Sequence, residues 1–386
     1  MRINKLHLTG FRIHRDTTVA FRPGMNVIYG PNGAGKTNLL EATHYLCLGK
    51  SFLASRDTYV LQKGAPFFEL RGHFHGEQRP DMEVRLVYMP DEGKRIFLNR
   101  TPLERLAGVV GMFPVVVISP EDAVLTAGGP EERRRFLDNT LSQAHPVYLD
   151  DLMKYRRVVR QRNVLLQRLQ GQRMDVRVLD SWDEELVRVG SRVIYARKQF
   201  LQEFTTYLAQ AYAFLQHVAE EPSIRYRSHV PLADSQEAIQ KNFLEHLHAY
   251  RQREIERGKT LVGPHRDELV FYLHAFEVRR YASQGQHRTF SLALKLAKYF
   301  YLKENLHETP LLLLDDILGN LDPERKKVLL EMLQQDAFGQ SLITTTSLEP
   351  LKPHVMRDDI GLIEVKQGKV TLHAAALPTT RVTPAE

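Results

Sequence analysis

The chain has 386 residues, 43% of them hydrophobic, with a formal net charge of +7 and a pI near 9.3. These values allow a sizeable core, so that disorder is not the default, leave room for two or three domains, and favour a polyanion such as nucleic acid as partner, with a solvated basic surface as the alternative. Cys47 is the only cysteine, which excludes an intramolecular disulfide or a cysteine metal cluster. No stretch approaches the roughly 18 apolar residues of a membrane helix, so a reducing cytoplasm is expected.

The N-terminal stretch MRINKLHLTGFR is broken by Asn4, Lys5 and His7, unlike the apolar core of a secretion signal. Ile3, Leu6 and Leu8 begin a strand, and Met25 to Tyr29 reads as a buried one. A helix is predicted over Lys36 to Leu48. Further strands are predicted at Phe67 to Phe74, Met82 to Tyr88, Arg95 to Asn99 and Phe113 to Ile118.

From about Pro130 the period becomes helical. Leu152, Tyr155, Val159, Leu166 and Leu169 share one face, and Gly171 is placed to end that helix. Leu186, Val189, Val193, Phe200, Phe204 and Tyr207 mark a second helix. Ile239, Phe243, Leu247 and Tyr250 mark a third. After Gly263 strands and helices alternate again through Val365, and the segment LPTTRVTPAE reads as a loose tail. The simplest organisation is one α/β domain split by an insertion: residues 1–130 and 261–376 form the α/β part, 131–260 a mainly helical arm, and 377–386 the tail.

Gly30-Pro31-Asn32-Gly33-Ala34-Gly35-Lys36-Thr37 matches G-x-x-x-x-G-K-[ST] between an apolar strand and a helix, the context of a phosphate loop. Glycines let successive amides point inward at an anion, and the helix N-terminus adds positive potential. Lys36 is placed to bridge the β- and γ-phosphates of ATP, and the Thr37 hydroxyl to meet Mg²⁺. Leu311 to Leu314 followed by Asp315-Asp316 reads as a central strand ending in two acids. Asp315 is assigned to Mg²⁺ and Asp316 to orienting the attacking water. Ser283-Gln284-Gly285-Gln286 opens a helix predicted over Thr289 to Lys303, which makes another anion-facing helix start.

Phosphate loop, long insertion, S-x-G-Q helix and acid-ended strand follow one another in the order of the ABC-type ATPases, within them the SMC-like group. The chain most closely resembles the RecF family of bacterial DNA recombination and repair proteins. The likeness runs through Gly10-Phe11-Arg12, Tyr29 to Ala42, Ser119-Pro120-Glu121-Asp122, Arg134 to Asp138, Gly263 to Asp267, Tyr281 to Gln286 and Leu313 to Asp316. It implies an α/β P-loop ATPase head of ABC/SMC type, a mixed sheet with flanking helices, interrupted by the helical arm. It further implies a signature segment, Ser283 to Gln286, that acts on ATP held by a second copy, Asp322 in a dimer loop, and an ATP-gated homodimer. RecR- and RecO-type mediator proteins are the implied partners, and gapped or junction DNA the implied cargo.

Three departures from the wider ABC pattern stand out. Asp316 replaces the usual Glu, as in RecF proteins, which fits slow hydrolysis. Thr344-Thr345-Thr346 stands at the switch-histidine position, and Glu121 and Asp122 stand where a Gln usually faces Mg²⁺. Before Leu321-Asp322, where RecF proteins tend to have an acid, this chain has Gly319-Asn320.

Lys154, Arg156, Arg157, Arg160, Arg162, Arg168, Arg173 and Arg177 crowd one segment against a single acid, Asp175. Lys154, Arg156, Arg157, Arg160 and Arg162 are the candidate DNA contacts, of a kind that does not read sequence. A solvated helix face is the alternative. Arg133, Arg134 and Arg135 form a second basic run. His265-Arg266-Asp267 reads as a charged turn bracing the insertion against the head. The function expected is a weak DNA-stimulated ATPase of recombinational repair and replication restart. The alternatives are an ATP-switched DNA scaffold with incidental hydrolysis, and the motor of a transporter.

Overall fold

The first strand, β1 (Arg2–Phe11), turns Ile3, Leu6 and Leu8 inward although their spacing is three and then two. An irregularity between Ile3 and Lys5 in its pairing supplies the extra residue. The computed structural model describes residues 1–170, 175–215, 220–319, 323–334, 338–351 and 359–373. After β1 come β2 (His14–Ala20), β3 (Met25–Tyr29), α1 (Lys36–Leu48), β4 (Phe68–His75), β5 (Met82–Met89), β6 (Gly93–Leu98), β7 (Thr101–Pro102) and β8 (Val115–Ile118). The middle of the chain forms α2 (Ala123–Ala127), α3 (Pro130–Ala144), α4 (Pro146–Leu169), α5 (Asp180–Leu215), β9 (Pro222–Arg227), α6 (Gln236–Arg257), β10 (Glu268–Leu273), β11 (Phe276–Glu277) and α7 (Val278–Tyr281). Then follow α8 (Gln284–Leu306), β12 (Leu311–Leu314), α9 (Pro323–Leu333), β13 (Ser341–Thr345), β14 (Gly361–Lys366) and β15 (Lys369–His373).

Contacts divide the chain into two units, Met1–Glu121 with the stretch from Tyr299 onward, and Asp122–Lys298. The first unit holds two six-stranded sheets. One is antiparallel, in the order β2-β1-β4-β5-β6-β7. The other runs β15-β14-β3-β13-β12-β8, parallel except for β15. Helix α1 shares one core with residues of both sheets. Leu39, Leu40, Tyr45 and Leu46 cluster with Leu6, Leu8, Phe68 and Leu70 of the first sheet, and with Ile28, Val115, Leu313 and Leu342 of the second. A helix covered this completely carries almost no polar face, which is why ATHYLCL is apolar nearly all round.

In the second unit α5 lies beside α4 and α6, and β9, β10 and β11 form a three-stranded antiparallel sheet. The sequence reading set the arm at 131–260, whereas contacts set this unit at Asp122–Lys298. The extension has a physical reason. Strand β10, which the sequence reading gave to the ATPase head, pairs with β9 from Glu268↔Arg227 to Leu273↔Pro222, and Arg133 of α3 binds Glu268 at 2.7 Å. The tail 377–386, Gly171 and Asp322 lie outside the described residues.

Candidate nucleotide site

The loop after β3 is shaped by two glycines, Gly30 and Gly35, at which a Cβ would collide with its surroundings. Gly30 has φ +150, and a Cβ there would sit 2.1 Å from the Val365 carbonyl oxygen. Gly35 has φ +105, and its Cβ would meet Ile13 Cδ1 at 2.7 Å and His14 Nε2 at 2.8 Å. The loop is braced from two hairpins. His14 Nε2 lies 3.1 Å from the Gly35 oxygen, and its Nδ1 lies 3.1 Å from the Gly368 oxygen. The Gly368 amide donates to the Ala34 oxygen at 3.0 Å. His14 is fully buried, and burial lowers its pKa. Nothing in the sequence pattern pointed to it, because the contact joins residues far apart in the chain.

Lys36 donates to the oxygens of Gly30 at 2.9 Å and Pro31 at 3.0 Å, curling over its own loop. Burial lowers its pKa, while the charges of Asp316 and Asp315 oppose that shift. An ammonium set between loop carbonyls and two carboxylates is suited to a ligand with several negative oxygens.

Parallel pairing brings the acids to this loop. Strand β13 lies between β3 and β12, with Ile343 aligned to both Val27 and Leu314. Asp315 and Asp316 therefore emerge at the C-terminal edge of the sheet, on the side of the phosphate loop. Thr37 Oγ1 donates to Asp315 Oδ1 at 2.7 Å, and Thr344 Oγ1 donates to the same oxygen at 2.8 Å. The Asp316 amide donates to Thr344 Oγ1 at 2.9 Å, and Asp316 has φ +46, a left-handed conformation that Asp tolerates. Burial raises the Asp315 pKa, the two hydroxyls oppose that, and the charges of Glu121 and Asp316 add to it. Hard oxygens at this spacing suit Mg²⁺, and a divalent cation would relieve the cost of the buried carboxylate. Thr37 and Asp315 would be the residues to hold one. Glu121 of the Glu121–Asp122 pair acts electrostatically on this acid, whereas Asp122 binds Lys295 at 2.7 Å in the second unit.

The signature segment lies in the second unit. Ser283 caps α8: the Gln286 amide donates to its Oγ at 3.2 Å, and its own amide donates to Gln286 Oε1 at 2.8 Å, a reciprocal box. Ser283 and Gln284 are exposed, Gly285 and Gln286 half-buried. The helix begins at Gln284, five residues ahead of the predicted start.

The basic segment divides by helix face. Lys154, Arg157 and Arg160 are exposed on α4 and have no hydrogen-bond or ion-pair partner among the described residues. Arg156 is exposed but bridges to Asp138 at 2.8 Å. Arg162 corrects the sequence reading. It is fully buried, bound to Asp183 and Glu254 at 2.6 Å each and to Thr260 at 3.0 Å, so it cannot meet DNA. His265-Arg266-Asp267 does follow a turn, closed by the Arg266 amide on the Gly263 oxygen at 2.9 Å, but its acid is used inside the second unit. Asp267 is fully buried within the second unit, where it accepts from Tyr226, Ser228 and the His229 amide.

The RecF/RecN/SMC N terminal domain matches residues 2–371. A DNA replication and repair protein RecF from Salinibacter ruber is 52% identical over 357 residues, covering 92% of this chain and 87% of the relative. This chain belongs to the RecF family. The RecF of Chloroherpeton thalassium is 44% identical over 349 residues, covering 90% and 95%. A solved structure of the recombination mediator protein RecF with ATPrS, in the RecFOR pathway, aligns with a TM-score of 0.88 at 30% identity over 97% of this chain and 98% of that one. An Smc head bound to the C-winged helix domain of ScpA aligns with a TM-score of 0.56 at 15% identity, a likeness of fold alone. The α/β head of ABC/SMC type with its phosphate loop is thus a RecF head.

Proposed function

We propose that this RecF-family chain is a DNA-dependent ATPase that closes as a dimer around ATP and serves recombinational repair and replication restart. The observation that carries the reading is the Thr37–Asp315 hydrogen bond of 2.7 Å, which fixes a carboxylate beside the phosphate loop. Gly30 to Lys36 cradle the phosphates, and Thr37 and Asp315 hold Mg²⁺, which supplies charge against the phosphate oxygens. Asp316 orients the attacking water. Ser283 to Gln286, on an exposed helix start, meet the γ-phosphate held by a second copy, so hydrolysis releases the dimer. Asp322 serves the dimer loop.

DNA lies along the exposed face carrying Lys154, Arg157 and Arg160, bound through its phosphates without sequence preference. Mediators of the RecO and RecR type are the protein partners, in keeping with relatives named as recombination mediators of the RecFOR pathway. The place of action is the cytoplasm. Among the described residues, no helix is long and apolar enough to cross a membrane.

ATP hydrolysis with and without DNA, across protein concentration, tests the reading. Turnover per chain should rise with concentration and with DNA, and solution mass should double on adding ATP. Doubling that persisted in Ser283→Arg would refute the shared site. The short Asp316 favours a second reading, in which binding rather than turnover does the work. There Asp316→Asn would stop hydrolysis and leave repair intact.

A further inference from the structure

The side chain of Gln286 has two ends, and the capping box uses only one. Its Oε1 accepts from the Ser283 amide, while its Nε2 donates to Glu220 Oε1 at 2.8 Å. The other carboxylate oxygen of Glu220 accepts from the Tyr212 hydroxyl. Tyr212 is buried near the C-terminal end of α5, and its ring meets Phe290 of α8 edge-on at 5.9 Å. The chain Tyr212–Glu220–Gln286–Ser283 thus joins the long arm helix to the signature serine, inside one unit.

We infer that Glu220 is a positioning residue for Ser283. The inference rests on the reading of Ser283 as the group that meets a second copy's ATP. Ser283 Oγ accepts from the Gln286 amide, so its single hydroxyl proton stays available for a phosphate oxygen. The reciprocal bond that fixes the Ser283 backbone holds only while Gln286 keeps its Oε1 toward the Ser283 amide. An amide side chain alone can turn over and present either end. A carboxylate, which only accepts, holds Nε2 on its own side and so sets Oε1 toward Ser283.

Tyr212 extends the chain to α5, the 36-residue helix that packs against α4. Arg197 of α5 binds Asp138, and Arg192 of α5 reaches Asp151 of α4 at 3.5 Å. Any displacement of α5 when the arm engages DNA therefore reaches Ser283 through two hydrogen-bonded side chains. Helix α5 thereby gains a route to Ser283.

The test is turnover and nucleotide affinity in the full-length protein. Glu220→Ala should lower kcat about tenfold, the size expected for losing one charge-assisted hydrogen bond. ATP affinity, measured at chain concentrations too dilute for dimers, should stay within about twofold. Glu220→Gln, which keeps an acceptor for Gln286 but adds a donor end that can turn toward it, should recover only part of the loss. Tyr212→Phe removes one hydroxyl and should show a smaller fall, and it serves if Glu220→Ala folds poorly. Mixing Glu220→Ala with Lys36→Ala should restore turnover, because one chain supplies an intact phosphate loop and the other an intact signature. A wild-type kcat for Glu220→Ala, an equal fall in affinity, or no recovery on mixing would each overturn the inference. Full turnover by Ser283→Arg would instead overturn the shared-site reading beneath it.

Discussion

Thr344 and Asp315 are joined by a hydrogen bond of 2.8 Å in which the threonine donates, and the same hydroxyl accepts the amide of Asp316 at 2.9 Å. One side chain therefore ties the Asp315 carboxylate to the backbone of Asp316. Thr344 is buried, so neither bond can be replaced by water without rearrangement. Thr344→Val keeps the shape and removes both bonds. It should lower kcat for ATP about tenfold to hundredfold, as expected for about 1–3 kcal/mol of lost polar satisfaction. Affinity for ATP should change little, and Thr344→Ser should behave almost as wild type. Steady-state hydrolysis over a range of ATP concentrations separates the two effects. A raised KM with unchanged kcat would show that Thr344 serves the nucleotide and not the acids.

The exposed face of α4 makes a separate prediction about salt. Each of Lys154→Ala, Arg157→Ala and Arg160→Ala should weaken DNA binding whatever the sequence. Each should also flatten the plot of log affinity against log salt by about 0.7–0.9, the slope of one released counterion. Fluorescence anisotropy with a labelled duplex and a labelled single strand measures it. An unchanged slope in the triple variant would place DNA on another surface.

Arg162 should answer differently from its neighbours. Its guanidinium is enclosed by Asp183, Glu254 and Thr260, all buried, so Arg162→Ala leaves Glu254 without its counter-charge and Asp183 with Arg251 alone. The loss should be about 3–5 kcal/mol of stability. Trp182, the only tryptophan, stands next to Asp183 and reports unfolding of this region by its fluorescence. The salt slope of DNA binding by the folded fraction should stay as in wild type. A flattened slope would return Arg162 to the DNA surface.

This contrast shows what the sequence could and could not carry. Strand β3, helix α1 and strand β12 were legible because each is a run whose neighbours in the chain fix its environment, and Gly30 to Thr37 declare their own turn. Arg162 looked like Arg157 in a list of charges. Yet it stands seven residues after Tyr155, four before Leu166 and seven before Leu169, on the apolar stripe already recognised, so periodicity could have set it apart. Other features had no local signal. The pairing of β9 with β10, the two hairpins that brace the phosphate loop through His14 and Gly368, and the bond from Glu220 to Gln286 all join distant stretches. The Thr344-Thr345-Thr346 run was noticed as a missing histidine, but its use as a clamp between two acids depends on β13 lying between β3 and β12.

Asp315 pits function against stability. Its carboxyl has a raised pKa, chiefly through burial, with Glu121 and Asp316 adding repulsion. For such a group the stabilising contribution is complete below its unfolded pKa and is lost as pH rises through the folded one. At neutral pH the charged carboxylate therefore costs stability in the nucleotide-free protein. Asp315→Asn keeps an oxygen to accept from Thr37 and Thr344 and removes the charge. It should abolish hydrolysis yet raise the unfolding temperature without nucleotide, by more at about pH 8 than at about pH 4. Thermal scans at the two pH values decide it. A destabilised Asp315→Asn at pH 8 would mean that the charge is already compensated.

His265 gives the second unit its own acid sensitivity, with the opposite sign. Its Nδ1 lies 2.6 Å from the Tyr155 hydroxyl and its Nε2 3.2 Å from the Thr260 oxygen. A neutral ring with its proton on Nε2 satisfies both, accepting from Tyr155 and donating to Thr260. Burial, with Arg266, Arg134 and Arg197 nearby, lowers its pKa to about 4. An unfolded histidine titrates near 6.5, so between those values the unfolded chain binds the proton and the folded one refuses it. Stability from His265 is thus present above about pH 6.5, declines as pH falls, and is gone below about 4. The whole decline amounts to about 3 kcal/mol, taking 1.36 kcal/mol for each pKa unit. Denaturant unfolding followed by Trp182 should show that decline in wild type. In His265→Gln, which offers an acceptor and a donor but no titration, stability should start lower at pH 7 and fall less steeply toward pH 4. If both proteins lose stability in parallel across that range, the acid sensitivity belongs to other groups and His265 is already protonated in the fold.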